Sequence, residues 1–240
     1  MIIIPARIGS SRFPNKVLAD IGGIPMIIRT AMAVQGIDTV VIATDSEEVI
    51  NITATHGIKA VMTSKSHQSG TDRIYEVVQK LELDENEIII NVQGDEPFIE
   101  SEVVQKVYDL TKHNSSNNKI LMNSCYKQIT NPEADNPNIV KVVVDTKDIA
   151  LYFSRAKIPY PRDYHFDHYK GHIGIYGFTV KSLRTFCSLK HSPLEEIEKL
   201  EQLRVLYHSY GVAMTEVTTE SFGIDTPEDL EKAMTYHGLS

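Results

Sequence analysis

An α/β fold, with a mostly parallel sheet flanked by helices and an antiparallel extension, is predicted by three features of this 240-residue sequence. Short β-branched runs alternate with amphipathic segments through the first half of the chain. The runs are apolar almost without interruption, as in "TVVIAT" and "EIIINV", and the middle of the chain turns strand-rich and less regular, in "KILMNSCYKQ", "NIVKVVVD", "IALYFSR" and "GHIGIYGF". A strand with one solvated face alternates apolar and polar residues, so uninterrupted apolar runs mean a parallel sheet covered on both sides.

Taken in order, the pattern predicts strands over 2–5, 39–44, 59–63 and 87–92, and helices over 25–35, 46–56, 70–81 and 101–112. Pro25 suits a first helical turn, where its missing N–H costs nothing, and Gly36 and Gly57 stand where helices stop. A long helix is expected over 193–209, with Leu194, Ile197, Leu200 and Leu203 as its apolar stripe. The polar run "NSSNNK" at 114–119 reads as a loop. No repeat and no strong domain boundary is visible. The expectation is one domain over 1–240, with a strand-rich extension at about 120–190.

Charge and composition exclude several classes of function. The formal charge is -8, from 32 acidic against 24 basic residues. Nucleic acids and membrane surfaces demand a broad basic face, which this balance does not supply, whereas a small anion needs only a few local cations. Cys125 and Cys187 match no metal spacing and read as reduced thiols. "MIIIPAR" has neither the basic region nor the length of a secretory signal, and nothing later is long enough to span a membrane. A cytoplasmic protein is expected.

Three segments carry chemistry. The first follows the opening strand, where "ARIGSSRFPNK" gathers Arg7, Arg12 and Lys16 around Gly9, Ser10 and Ser11. Backbone N–H groups, hydroxyls and cations on one short loop can wrap a polyphosphate, although the spacing is neither a P-loop nor a dinucleotide fingerprint. A solvated basic loop is the plain alternative, and its place at a strand's carboxyl end favours the ligand. In the second, "NVQGDEPFI", Gly94 lets the chain turn and presents Asp95, which can hold Mg²⁺ while water and phosphate complete the shell. Capping does not need Asp95, since Pro97 fixes the turn and Ser101 can cap the next helix. In the third, "GIDTPEDL", Thr226, Pro227 and Asp229 fill N-cap, N1 and N3 of a helix. That leaves Asp225 spare, either as plain surface or as a second metal ligand.

Together with "HQSGTDR", "NPNIVKVVVD", "ALYFSRAKIPYPRD", "HIGIYGF" and "SPLEEIEKLEQLRVL", these segments resemble, in order and over nearly the whole length, the 3-deoxy-manno-octulosonate cytidylyltransferases. The resemblance implies a Rossmann-like, nucleotide-diphospho-sugar transferase type of fold. It also implies a homodimer and a Mg²⁺-dependent reaction of CTP with a 3-deoxy-ulosonic acid, which releases pyrophosphate and serves lipopolysaccharide synthesis. Carried over, Arg7, Ser10, Arg12 and Lys16 would grip the triphosphate, Arg73 the cytidine half, and Asp95 and Asp225 the metal, with Arg7, Lys16, Asp95 and Asp225 as the catalytic set. Gln93, Arg155, His172, Tyr176, Glu201 and Gln202 would meet the sugar acid.

Four of the sugar-site residues also have a plainer reading. His172 can be a structural histidine on the same strand face as Tyr176, Glu201 and Gln202 a solvated helix flank, and Arg155 half of a surface ion pair. Asn15 stands where the family commonly has Gly, and Asn tolerates left-handed backbone angles. "YHFDHYK" at 164–170 holds no convincing zinc arrangement and is assigned to a surface loop. A CMP-sialic acid synthetase is disfavoured by "NVQGDEP" and "HIGIYGF", and a non-catalytic nucleotide-binding module by the two spare aspartates.

Overall fold

The computed structural model describes residues 1–9, 13–67, 69–163 and 166–239. The chain divides into two compact units, one of residues 1–83, 89–105 and 220–240, the other of 84–88 and 106–219. The sequence predicted one domain without a visible boundary. The first unit is built from both ends of the chain, so no linker composition marks the division.

In the first unit, β1 (Ile2–Ala6) is followed by a small antiparallel hairpin, β2 (Asp20–Ile21) with β3 (Ile24–Pro25). Then come α1 (Met26–Val34), β4 (Val40–Thr44), α2 (Glu47–Thr55), β5 (Lys59–Met62), α3 (Gly70–Lys80) and β6 (Ile88–Asn91); α4 (Ser101–Asn114) starts in this unit, and its residues from 106 on belong to the second. The sheet order is β6-β1-β4-β5, every pair parallel. Ile2, Ile3, Ile4, Val41 and Ile42 are all fully buried, as the unbroken apolar runs predicted. Pro25 sits one residue outside α1, as its N-cap.

The chain returns to this unit at its end. Ile21, Met26, Ile224 and Ala233 form one core cluster, against which Phe13, Phe98, Leu230 and Met234 pack. The helix Pro227–Tyr236 is thereby fastened beside the loop after β1 and the turn after β6. Its start is the predicted capping box: Thr226 accepts from the Asp229 N–H, and the Asp229 carboxylate accepts from the Thr226 N–H.

The second unit contains β7 (Ile120–Ile129), α5 (Asn131–Ala134), β8 (Lys141–Val144), β9 (Ala150–Ser154), β10 (Tyr169–Thr179), α6 (Val180–Ser188), α7 (Pro193–Glu198), α8 (Leu203–Tyr207) and β11 (Gly211–Glu216). β10 runs antiparallel to β7 and β8, β9 antiparallel to β8, and β11 parallel to β7. This is the expected antiparallel extension. Both cysteines are free thiols.

The long helix predicted over 193–209 is two short ones. Lys199 takes a left-handed conformation, φ 55°, and ends α7, while Leu200 turns back to bond the Glu195 carbonyl. The break lets Arg204 of α8 reach the Glu195 carboxylate of α7, with Nε donating at 2.8 Å, and both residues are buried. A continuous helix would keep Ile197 in its apolar stripe, but here Ile197 is 79% exposed. The i,i+3 spacing could not show that a charged pair outranks that stripe.

Candidate active site

The first unit gathers its polar groups at the carboxyl ends of its strands, where parallel α/β sheets take their ligands. Asn15 adopts the left-handed region at φ 54°, ψ 25° and starts a 3₁₀ turn, Lys16–Leu18. The turn directs Lys16 inward. On the facing strand end, Gly94 is required by contact: a Cβ there would lie 2.8 Å from the Pro5 carbonyl oxygen. Thr30 donates to the Gly94 carbonyl at 3.2 Å, and the Ile224 N–H donates to the Asp95 carbonyl at 2.9 Å. This last bond sets Asp225 beside Asp95.

The result is a three-membered charge cluster from three distant stretches of chain. Lys16 Nζ donates to Asp95 Oδ2 at 2.6 Å and to Asp225 Oδ1 at 3.0 Å. Burial opposes the lysine's charge, but the carboxylates, Asp95 first and Asp225 second, outweigh that and raise its pKa. Asp225 is therefore not spare: it is half of an ion pair 209 positions long. Lys16 is 9% exposed, while the Asp225 side chain is 47% exposed, so the cluster opens to solvent on its acidic side.

Among the described residues no group of three or more His, Cys, Asp or Glu side chains is arranged to hold a metal. Asp95 and Asp225 nonetheless fit a Mg²⁺-type ion that takes one or two carboxylates and fills its shell with water and phosphate. The fit is seen in what the two carboxylates already do: they aim one oxygen each at a single cation, the Lys16 ammonium.

Arg73 lies deeper. Ser69 caps α3, accepting from the Asp72 N–H, and one turn in, Arg73 is 2% exposed. Its guanidinium donates to Thr63 Oγ1 at 2.6 Å and to Asp45 Oδ2 at 2.9 Å. Asp45 Oδ1 is buried and has no hydrogen-bond partner among the described residues. Asp45 lines a cleft of about 640 Å³ with Ile8, Gly9, Glu47, Glu48 and Lys65, so Arg73 faces it through Asp45. Arg7 is exposed at the end of β1, and Gln93 donates to Asn91 Oδ1 at 3.3 Å. Ser10 and Arg12, expected to hold the triphosphate, lie outside the described residues.

In the second unit, His172, Tyr176 and Gln202 come together as the sequence expected. Tyr176 OH donates to Gln202 Oε1 at 3.2 Å, Gln202 Nε2 stands 3.5 Å from His172 Nδ1, and the two aromatic rings lie 5.6 Å apart. Burial pushes His172 down to about pKa 3 and, with the Glu201 charge adding to it, pushes the Tyr176 hydroxyl well up, so both are neutral at pH 7. Gln202 is 1% exposed rather than a solvated flank. Arg155 is tied to carbonyls, Nε to Glu198 O at 2.7 Å and Nη1 to Pro137 O at 3.1 Å. The Glu198 carboxylate accepts from Ser154 Oγ and the Arg155 N–H. Sequence reasoning missed Asp45, Glu198 and Ser124, whose roles arise only from contacts between segments distant in the chain.

A cytidylyltransferase family model matches residues 1–216. A 3-deoxy-manno-octulosonate cytidylyltransferase of Nitratiruptor sp. is 57% identical over 232 residues, 97% of each chain. One from Wolinella succinogenes is 51% identical over the full length of both. Among solved structures, a CMP:2-keto-3-deoxy-manno-octonic acid synthetase complexed with CTP aligns with TM-score 0.88 and 41% identity, over 99% of this chain and 97% of that one. A cytidylyltransferase from Leptospira borgpetersenii, at 18% identity and TM-score 0.61 over 98% of this chain and 84% of its own, shares the fold.

Proposed function

This chain belongs to the cytidylyltransferase family, and from that premise we propose that it transfers CMP from CTP to the anomeric hydroxyl of 3-deoxy-manno-octulosonate. Pyrophosphate leaves, and the product is the activated sugar used in lipopolysaccharide synthesis. The observation that carries the reading is the cation-binding pair Asp95 and Asp225, closed over Lys16 at the strand ends of the first unit.

The chemistry asks for little covalent participation. A hydroxyl attacks the α-phosphorus and pyrophosphate departs, so positioning and charge neutralisation supply most of the rate. Mg²⁺, held by Asp95 and Asp225, would supply Lewis acidity and lower the pKa of a coordinated hydroxyl. Lys16 is the cation that pairs with both carboxylates in the free protein, and its ammonium is a flexible point charge for phosphate oxygens. Arg7, exposed on the same loop, is a second phosphate cation, with Ser10 and Arg12 assigned beside it. Arg73 and Asp45 shape the cleft assigned to the cytidine half.

His172, Tyr176 and Gln202 offer neutral donors and acceptors, the groups that read hydroxyls, and are assigned to the sugar acid with Gln93, Arg155 and Glu201. The proposal extends to a homodimer in the cytoplasm with no nucleic-acid partner. No helix among the described residues is long and apolar enough to cross a membrane.

Pyrophosphate release from CTP and Mg²⁺ tests the reading with two sugar acids side by side. Release with 3-deoxy-manno-octulosonate should exceed that with N-acetylneuraminate by at least about 100-fold, because buried polar groups reject a ligand that leaves them unpaired. Equal rates would replace the reading with a broader ulosonate transferase, and no release with either would remove it.

A further inference from the structure

We propose that Ser124 is a positioning residue which locks His172 as its Nε2–H tautomer and thereby turns Nδ1 into a fixed hydrogen-bond acceptor for a hydroxyl of the sugar substrate. The inference rests on the assignment of the His172, Tyr176 and Gln202 cluster to the sugar acid, and adds what that cluster presents to it.

The pairing of β10 with β7 is irregular. On β10, His172 and Ile173 pair with Tyr126 and Cys125 of β7, and Gly177 pairs with Asn123. Ser124 alone therefore stands opposite Gly174, Ile175 and Tyr176, a bulge of two extra residues. Ser124, fully buried, places its hydroxyl 2.7 Å from the Ile175 carbonyl oxygen, 3.2 Å from that of Ile173 and 2.9 Å from His172 Nε2.

A hydroxyl has one proton and a carbonyl has none. At 2.7 Å, Ser124 and the Ile175 oxygen would repel unless the serine proton lies between them. With that proton spent, Ser124 Oγ can only accept from His172, so Nε2 carries the ring hydrogen. The neutral ring then has its lone pair on Nδ1. The other side of the ring agrees: Gln202 takes the Tyr176 proton on Oε1 and so presents its N–H₂ to Nδ1. Donation runs one way, from Tyr176 through Gln202 and His172 to Ser124 and the backbone. The Gln202 contact is the weak link, at 3.5 Å, and at that length a substrate hydroxyl competes well for Nδ1.

The test is long-range ¹H–¹⁵N NMR of the whole enzyme, read with sugar-acid kinetics. Wild-type His172 should show the Nε2–H pattern. Ser124→Ala should mix the tautomers and lower kcat/KM for the sugar acid about tenfold, chiefly through KM, leaving KM for CTP within twofold. Ser124→Thr, which keeps the hydroxyl, should restore both readings. An Nδ1–H pattern in the wild type, or Ser124→Ala with an unchanged tautomer and unchanged KM, overturns the inference. Tyr176→Phe separates the two layers: a normal His172 tautomer with an unchanged sugar-acid KM in that variant, together with an unchanged sugar-acid KM in His172→Asn, removes the assignment of the cluster to the sugar and with it the role of Ser124.

Discussion

At the strand ends of the first unit, Lys16 faces Asp95 and Asp225 across 2.6 and 3.0 Å, whereas in the second unit Ser124, His172, Gln202 and Tyr176 meet with no formal charge among them. The difference follows the ligands that each could take. A cluster of one cation between two acids can exchange that cation for another. A neutral chain of donors and acceptors has a direction, and directed neutral groups sort hydroxyls. The second unit does carry a buried ion pair, Arg204 with Glu195, but it joins α7 to α8 and is spent on architecture.

That architectural pair gives the largest stability effect with which to sharpen the comparison. Glu195→Gln keeps the shape of the Ser192 capping box but takes the negative charge away from the carboxylate that Arg204 Nε bonds at 2.8 Å in a buried setting. The expected loss is about 3–5 kcal/mol in denaturant unfolding, far beyond what removing a surface pair costs. A loss below 1 kcal/mol would show that the break at Lys199 has another cause.

Acid separates the units next. His172 is held near pKa 3 by burial, well below the ordinary imidazole value of 6.5, so the unfolded chain binds the proton first. Stability contributed by its neutral form is complete above about pH 6.5 and falls as pH drops from there toward 3, by at most about 1.4 kcal/mol per unit. In the first unit, burial would raise Glu76, but Lys80, the Ser64 N–H and His67 together bring it down to about 2. Its contribution is present above about pH 4.5 and is lost as pH falls toward 2. It is the smaller effect, since the Glu76 side chain is 21% exposed. Hydrogen exchange should therefore show β7 and β10 loosening at milder acidity than α3. The reverse order would break the comparison.

Much of the first unit was legible because its signals are local. The strand runs, the glycine stops and the Thr226 capping box lie within a few residues of what they determine, and all the predicted strands there end within two residues of their expected bounds. Asn15 shows the same economy: its tolerance of left-handed angles was readable, and the chain uses it to aim Lys16. What escaped was cross-chain. Nothing near Asp225 indicates that Ile224 will bond the Asp95 carbonyl. The stripe of the predicted helix over 193–209 outweighed a pair it could not see, and Ser124 in "NSCYK" gains its role only opposite a bulge. Arg73 was read as helping to hold the cytidine half, and the partners of its guanidinium, Thr63 and Asp45, were not legible from the sequence.

The convergence of Lys16, Asp95 and Asp225 carries the functional account, and turnover by Asp95→Asn at saturating CTP, sugar acid and Mg²⁺ tests it most directly. The account predicts a fall on the order of 10³-fold in a variant whose circular dichroism and melting match the wild type, because a carboxylate that holds the reacting charges is lost while Lys16 keeps Asp225 as partner. A rate within threefold of the wild type would contradict it.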